Sequence, residues 1–210
     1  MQNNKISASR IVGMLLGCVV ISLGIAFFKQ SGLGNDSITA LNLRTSELLG
    51  ISLGTMNLMA NTLFFIVEIL WGRKYIGLGT FFNWVTIGYI VTFFYQHIEQ
   101  IFGVASSFPV QLVFVILGVV ITSIGVSMYQ TANLGIAPYD YLAIGLADHT
   151  PFPYFGCRVF TDALTALITL LLGGLIGLGT LICAFGLGPF VQFFTRHFSE
   201  KVLRYRPAKK

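Results

Sequence analysis

Six apolar stretches of about twenty residues recur along this chain of 210 residues, and each is long enough to cross the hydrocarbon core of a bilayer as a helix. Only 10% of the residues are charged, against about 25% in an average soluble domain. The sequence therefore predicts an all-α membrane protein with six transmembrane helices. The expected spans are residues 11–28, 54–72, 76–95, 110–130, 154–172 and 176–195.

The positions of the basic residues predict the orientation of these spans. Most lysines and arginines flank the apolar stretches, whereas residues 96–108 contain neither. Because cytoplasmic segments of membrane proteins are enriched in Lys and Arg, we expect both termini to be cytoplasmic. The net charge of +5 thus indicates membrane orientation and not nucleic-acid binding. The flanking residues are Lys5, Arg10, Arg73, Lys74, Arg196, Lys201, Arg204, Arg206, Lys209 and Lys210.

Two shorter segments, Asn35–Leu49 and Pro138–Ala147, are predicted to form half-length helices, each after the first span of its half of the chain. Asn35 and Asp36 are candidate N-caps, and Pro138 suits a first helical turn. The two segments could be re-entrant, so that their amino ends meet near the bilayer midplane, or they could lie flat in the headgroup region. The sequence leaves both arrangements open.

The chain contains an internal repeat. Residues 16–34 match residues 117–135 at an offset of 101, and the run Ile-Gly-Leu-Gly-Thr occurs at both 76–80 and 176–180. Each repeat holds three spans, an odd number, so the second copy is expected to cross the membrane in the opposite sense to the first. We predict two inverted three-helix repeats within one membrane domain, residues 1–104 and 105–210.

The segments beside the half-helices resemble those of a bacterial family. Gly32 to Thr39, Gly50 to Thr55 and Leu134 to Asp140 are similar to the loop motifs of the YczE/YyaS/YitT membrane proteins. The resemblance covers nearly the whole chain and implies a protein of the bacterial plasma (inner) membrane, without implying a substrate. Thr92 and Gln192 stand where the family pattern often has an acidic residue, which puts a role for such a carboxylate in doubt.

Four polar residues inside spans occupy equivalent positions in the two repeats. Asn57 and Asn61 are four residues apart on one helical face, and at the offset of 101 they correspond to Arg158 and Asp162. Polar residues within a bilayer are costly and are therefore candidates for a substrate or ion pathway. The alternative is structural, with Arg158 paired to Asp162 and the asparagines bonding neighbouring helices.

Asp162 is the strongest single candidate. It lies about 12 Å into its span, too deep for a short side chain to reach water. Glu68 is a weaker candidate, because it lies near the cytoplasmic end of its span, where its longer side chain could reach the interface.

Together these features favour a secondary transporter of a small solute or ion that works by alternating access. Asp162, Arg158, Asn57 and Asn61 would line the pathway with the loop residues Asn35, Asp36, Pro138 and Asp140. A scaffold or sensor for another membrane complex, and a channel, are the alternatives. We expect no metal site, because Cys18, Cys157 and Cys183 are far apart and lack metal-ligand spacing. We expect neither enzymatic activity nor another cofactor, because His149 and Cys157 are separated by two prolines in a way that predicts no hydrogen bond between them. Assembly into a homo-oligomer is left open.

Overall fold

The computed structural model describes residues 7–103 and 105–205, and these residues form helices and no strands. Six of the helical segments are long and apolar enough to cross a membrane, which confirms the expected number of spans. Lys5, Arg206, Lys209 and Lys210 lie outside the described residues. The helices are α1 (Ala8–Ser31), α2 (Ser37–Leu49), α3 (Leu53–Trp71), α4 (Leu78–Phe102), α5 (Phe108–Ala132), α6 (Pro138–His149), α7 (Tyr154–Leu171), α8 (Leu178–Phe194) and α9 (Glu200–Leu203), with a 3₁₀ turn at Arg73–Tyr75 and a π-helical turn at Thr195–Ser199.

The half-helices α2 and α6 begin and end close to the expected residues. Asp36 is the N-cap of α2, and its Oδ2 accepts a hydrogen bond from the Thr39 N–H at 3.1 Å. Gly50 ends α2 in the left-handed conformation with φ of 66°. Pro138 begins α6, which continues to His149, two residues beyond the predicted end. The helix stops there because Thr150 precedes Pro151, and a residue before proline disfavours helical geometry.

An antiparallel pair, α1 and α5, forms the centre of the molecule. At the start of α1, the Arg10 Nε donates a hydrogen bond of 2.8 Å to the carbonyl of Ala132 at the end of α5. Farther along, Gly24 faces Thr122 so closely that a Cβ on the glycine would lie 2.6 Å from the Thr122 backbone nitrogen. Glycine thus lets the two backbones approach at the crossing, as it commonly does between membrane helices.

Contacts between the two halves occur in reciprocal pairs. The Gly79 N–H donates to the Leu134 carbonyl at 2.8 Å, and the Gly179 N–H donates to the Leu33 carbonyl at 2.8 Å. Gly79 and Gly179 occupy equivalent repeat positions, as do Leu33 and Leu134. The second hydrogen bond is therefore the first with the two halves exchanged.

The glycines that follow Leu33 and Leu134 repeat this reciprocity. A Cβ on Gly34 would lie 2.5 Å from the Thr180 Oγ1, and a Cβ on Gly135 would lie 2.6 Å from the Thr80 Oγ1. Both glycines have positive φ, 105° and 126°, a conformation that residues with a Cβ rarely adopt. Each half thus presents the same tight loop to the start of a helix in the other half.

One helix pair departs from the reciprocal pattern. α3 packs directly on α4, where a Cβ on Gly88 would lie 3.0 Å from the Gly54 Cα. The equivalent helices α7 and α8 make no comparable contact. Gly188, the counterpart of Gly88, has no atom within 4 Å of its Cβ position, and Phe155, the counterpart of Gly54, is 71% exposed. The interface closed in the first half is open in the second.

Candidate ligand-binding site

The amino ends of both half-helices meet on α7 at Asp162. The Ser37 hydroxyl, at the start of α2, donates to Asp162 Oδ1 at 3.0 Å. The Tyr139 hydroxyl, at the start of α6, donates to the same oxygen at 2.8 Å. Asp162 is the ninth residue of α7, so this meeting point lies at the middle of that helix.

From this point the half-helices run to opposite ends of the bundle. α2 follows the second half of α7, because the Arg44 Nε donates to the Leu172 carbonyl just beyond its end, at 2.8 Å. α6 runs the other way, and its Asp148 forms an ion pair of 2.9 Å with Lys74, just after α3. Both half-helices therefore begin beside the midpoint of α7.

Arg158 joins two carboxylates beside this point. Its Nε donates to Asp162 Oδ2 at 3.0 Å, and its Nη1 donates to Asp140 Oδ1 at 2.5 Å. The guanidinium also lies 5.2 Å from the centre of the Tyr139 ring, within the range of a cation–π contact. The sequence suggested the pair with Asp162, but the bridge to Asp140 on α6 depends on the tertiary fold.

A cavity of about 180 Å³ opens next to this cluster. Five of the eight candidate pathway residues line it, namely Asp36, Asp140, Arg158, Asn57 and Asn61. Asp162, the strongest candidate from sequence, is not among the lining residues, and its two oxygens accept hydrogen bonds from Ser37, Tyr139 and Arg158. Asp162 therefore organises the wall, while Asp140 and Arg158 reach the cavity.

The two asparagines of α3 are hydrogen-bonded to each other through their side-chain amides on the cavity wall. The Asn61 Nδ2 donates to the Asn57 Oδ1 at 2.5 Å, and the Asn42 Nδ2 of α2 donates to the same oxygen at 3.3 Å. Of the four equivalent positions expected to share one seam, Asn57, Asn61 and Arg158 line the cavity, and Asp162 does not.

Asn35 and Pro138 lie away from the cavity wall. Asn35 lines a separate cavity of about 190 Å³ together with Lys29, Arg44 and Glu47. Pro138 is buried as the first residue of α6 and is followed by Tyr139, which does reach the central cavity. Both residues lie at or next to the amino ends of the half-helices, and neither lines the central cavity.

Three residues of the lining carry buried polar atoms without a hydrogen-bond partner. They are the Asn42 Oδ1, the Thr122 Oγ1 and the Tyr129 hydroxyl. Each residue is 6% exposed or less. Sequence reasoning missed them because Thr122 and Tyr129 correspond to the apolar Ile21 and Phe28 of the first repeat, and Asn42 lies on a polar half-helix where an amide is unremarkable.

Glu68 differs from its sequence-based interpretation. Its side chain is 0% exposed, so it does not reach water at the interface as expected. Neither carboxyl oxygen has a hydrogen-bond partner. An unpaired carboxylate is costly to bury, so the neutral acid is the form that this environment accepts.

Comparison with known proteins gives the family. A model described as a family of unknown function, DUF6198, matches residues 8–196. The chain belongs to this family. No solved structure matches the chain.

Curated relatives agree with this assignment to DUF6198. An uncharacterised protein of Haemophilus influenzae is 25% identical over 86% of this chain and 81% of its own length. The uncharacterised protein YyaS of Bacillus subtilis is 27% identical over 89% of this chain and 94% of its own length. The uncharacterised membrane protein YczE of Bacillus subtilis is 24% identical over 92% of this chain and 88% of its own length. These relatives confirm the resemblance to YczE and YyaS, and with six apolar helices the chain is a multi-pass membrane protein.

Proposed function

We propose that this protein carries a small solute or ion across a bacterial plasma membrane by alternating access, with its two halves acting as inverted repeats. The observation that carries the proposal is the difference between two equivalent helix pairs. α3 is closed on α4 through Gly54 and Gly88, whereas α7 stands apart from α8 at Phe155 and Gly188. If each repeat can adopt both the closed and the open arrangement of its helix pair, exchanging the two arrangements between the repeats gives the two states of an alternating-access carrier.

Two features support the inverted arrangement. α1 and α5, the first helices of the two halves, are antiparallel, since the start of α1 contacts the end of α5. The hydrogen bonds from Gly79 to Leu134 and from Gly179 to Leu33 are also exchanged between the halves. Such exchange is what a two-fold axis relating the halves would produce.

The half-helices support the re-entrant alternative over the interfacial one. A helix lying flat in the headgroups would contact spanning helices near their ends only. α2 begins beside Asp162 in the middle of α7 and reaches the end of α7 at Leu172. α6 also begins at Asp162, through Tyr139.

The open and closed pairs lie toward opposite ends of the molecule. Phe155, at the start of α7, follows α6, whose Asp148 contacts Lys74. Gly54, at the start of α3, follows α2, whose Arg44 contacts the far end of α7. With Lys74 on the cytoplasmic side, as the distribution of basic residues favours, the open helix pair lies toward the cytoplasm and the closed pair toward the exterior.

A disulfide cross-link tests the proposed movement. In a variant with Cys18, Cys157 and Cys183 replaced by alanine, Phe155→Cys and Gly188→Cys place thiols on the two separated helices. If α7 closes on α8 during the cycle, a mild oxidant will trap the closed state. Cross-linking is read as a mobility shift on a gel, and the two single-cysteine variants under the same oxidant are the controls.

Transport is then measured in proteoliposomes by exchange of labelled candidate solutes before and after oxidation. Alternating access predicts that the cross-link stops exchange and that a reductant restores it. A pair that never cross-links, in a protein that moves no solute, would favour the scaffold or sensor. Uncoupled flux that persists in the cross-linked protein would favour a channel.

A further inference from the structure

We infer that Glu68 of α3 is a proton-binding site, reached from the cytoplasmic end of the molecule past the hydroxyl groups of Tyr141 and Tyr75. The inference rests on the proposed function only in making the proton the coupling ion of the carrier. It is carried by a fully buried carboxyl group whose two oxygens have no partner, at the inner end of a row of hydroxyl groups that reaches the protein surface.

Glu68 lies on the face of α3 that packs against α6. Four residues before it, the Phe64 ring lies 5.6 Å from the Tyr139 ring of α6. Four residues after it, a Cβ on Gly72 would lie 2.7 Å from the Tyr141 hydroxyl oxygen. Because residues four apart share one face of a helix, Glu68 occupies the α3–α6 interface between these two contacts.

The burial of Glu68 restricts what it can bind. Its side chain is 0% exposed, and it lines neither the central cavity nor the cavity beside Asn35. A metal ion or an organic ligand would need space beside the carboxyl group, whereas a proton forms an O–H bond on one of its oxygens and needs none. Protonation also removes a charge that is costly in such surroundings. The proton is therefore the ligand that fits this position.

The equivalent position in the second half shows a purely structural group. At the offset of 101, Glu68 corresponds to Thr169, which is also 0% exposed. The Thr169 hydroxyl donates to the Thr165 carbonyl on its own helix at 2.8 Å. Packing at this position therefore does not require a carboxyl group, and a buried carboxyl without a hydrogen bond lowers stability. Such a cost is typical of an ionisable group that serves function within a membrane.

A row of hydroxyl groups connects this interface to the protein surface. Tyr141 is 1% exposed, and its hydroxyl, like the Glu68 oxygens, has no hydrogen-bond partner. Its ring packs on Tyr75, with 5.8 Å between the ring centres. The Tyr75 hydroxyl donates to Asp148 Oδ2 at 3.0 Å, and the same oxygen pairs with the exposed Lys74 at 2.9 Å. The row thus ends at a solvent-exposed ion pair, on the side where the basic residues favour the cytoplasm.

Protons can move along such a row without a net change in the tyrosines. A hydroxyl oxygen accepts one proton from its neighbour, directly or through a water molecule, and releases its own proton to the next group. At the inner end, a lone pair of a Glu68 oxygen forms the new O–H bond, and the carboxylate becomes the neutral acid. Release of the proton follows the same steps in reverse.

The charged groups around Glu68 do not compensate an ionised carboxylate. Asp140 of α6 is close enough for its negative charge to act on the Glu68 carboxyl, and Arg158 is bound to Asp140. The titratable residues within α2 and α4 lie toward the other end of α3, where Tyr89 contacts Gly54. The ion pairs formed among the described residues do not include Glu68. The other titratable groups on this side of the molecule are Tyr129, Tyr141, Asp148, His149, Arg73, Lys74 and Tyr75.

Infrared spectroscopy of the purified protein at neutral pH, in a detergent without carbonyl groups, tests whether Glu68 holds a proton. A protonated carboxylic acid has a carbonyl stretch that is separate from the carboxylate and amide bands. We expect such a band in the wild type and its loss in Glu68→Gln. Glu47→Gln is the matched control and should keep the band, because the Glu47 side chain is 55% exposed and pairs with Arg44.

Transfer into D₂O tests the route. As the acid exchanges its proton for deuterium, the band moves to lower frequency, and the rate of this shift measures access to the carboxyl group. Tyr141→Phe keeps the ring and removes a hydroxyl that has no partner, so it breaks no hydrogen bond of the described residues. We expect it to slow the shift by about tenfold or more and to leave the band itself unchanged. Tyr95→Phe, near the far end of α4, should exchange at the wild-type rate.

Three results would overturn the inference. They are a neutral-acid band that Glu68→Gln does not reduce, a band that never shifts in D₂O in the wild type, and an equal rate of shift in Tyr141→Phe and the wild type. The second result would identify a permanently protonated, structural acid.

The coupling role is measured in proteoliposomes with the labelled solutes of the exchange assay. Because glutamine cannot release a proton, Glu68→Gln should keep solute exchange and lose net uptake driven by a pH gradient. Net uptake equal to that of the wild type would contradict coupling through Glu68. If Glu68 exchanges its proton through Tyr141 but no solute moves, the proton site stands and the carrier does not. If solute is exchanged but Glu68 is ionised, the carrier stands and the proton site does not.

Discussion

Arg158 is the residue on which the polar cluster depends. Its guanidinium donates to Asp162 on its own helix and to Asp140 on α6, and so it ties a half-helix to a spanning helix. A lysine has a single ammonium in place of the planar fork and cannot hold both carboxylates in the same geometry. The bridge makes Arg158 structural as well as a part of the cavity wall.

We expect Arg158→Lys to lower the free energy of unfolding by about 2 kcal/mol, because a charge-assisted hydrogen bond is lost while both carboxylates remain. Denaturant unfolding monitored by circular dichroism measures the change. The double variant Arg158→Lys with Asp140→Asn should lose less than the sum of the single variants, since both act on one contact. Strict additivity would mean that the bridge to Asp140 contributes nothing.

Glu68 is expected to tolerate glutamine and not alanine. Glu68→Gln keeps the shape of a neutral buried acid and should change the free energy of unfolding by less than about 1 kcal/mol. Glu68→Ala empties a fully buried volume and should cost roughly 1 to 3 kcal/mol. Thermal unfolding of both variants checks this. A large loss in the glutamine variant would show that the ionised carboxylate has a stabilising partner.

Among the elements, the central pair of α1 and α5 tolerates the least change. Gly24→Ala should destabilise the protein by about 1 to 3 kcal/mol, because the new methyl group would lie within 3 Å of Thr122 backbone atoms and would force the helices apart. The unfolding midpoint in denaturant reports the loss.

Gly186→Ala on α8 is the matched control for this glycine. The nearest atom to its Cβ position is the Ile182 Cγ2 at 3.6 Å, an ordinary contact. Because alanine favours helix over glycine, this variant should be neutral or slightly stabilised. An equal loss in both variants would indicate a general effect of glycine replacement and not a tight crossing.

The elements could be predicted from sequence because their signals are local. Asp36, Gly50 and Pro138 mark the ends of the half-helices through capping and backbone geometry. The gap between α7 and α8 could not be predicted. Gly88 and Gly188 are the same residue at equivalent positions, yet only Gly88 is in tight contact. The difference between the two glycines arises from how the helices pack in three dimensions, which the local sequence does not encode.

The site was only partly predictable for a similar reason. Arg158, Asp140, Asp36 and the asparagines stand out as polar groups among apolar neighbours. Whether such a side chain faces the cavity or supports the wall behind it depends on contacts between distant segments. Asp162 shows this, since Ser37 and Tyr139 occupy one of its oxygens.

For the whole molecule, the orientation in the membrane can be measured by labelling of single cysteines. In the cysteine-free background, Ser106→Cys and Phe152→Cys place thiols on exposed positions of two loops. We expect Ser106→Cys to react with an impermeant maleimide from the exterior of intact cells, and Phe152→Cys to react only after lysis. Labelling of both from the same side would contradict the inverted arrangement.

The hydrogen bonds from Gly79 to Leu134 and from Gly179 to Leu33 join backbone atoms only. They require small residues nearby so that the backbones can approach, but no particular side chain. Substitutions in the lining of the cavity therefore leave these backbone contacts between the two halves intact. The lining of the cavity can thus diverge among relatives while the backbone contacts that hold the two halves together stay the same.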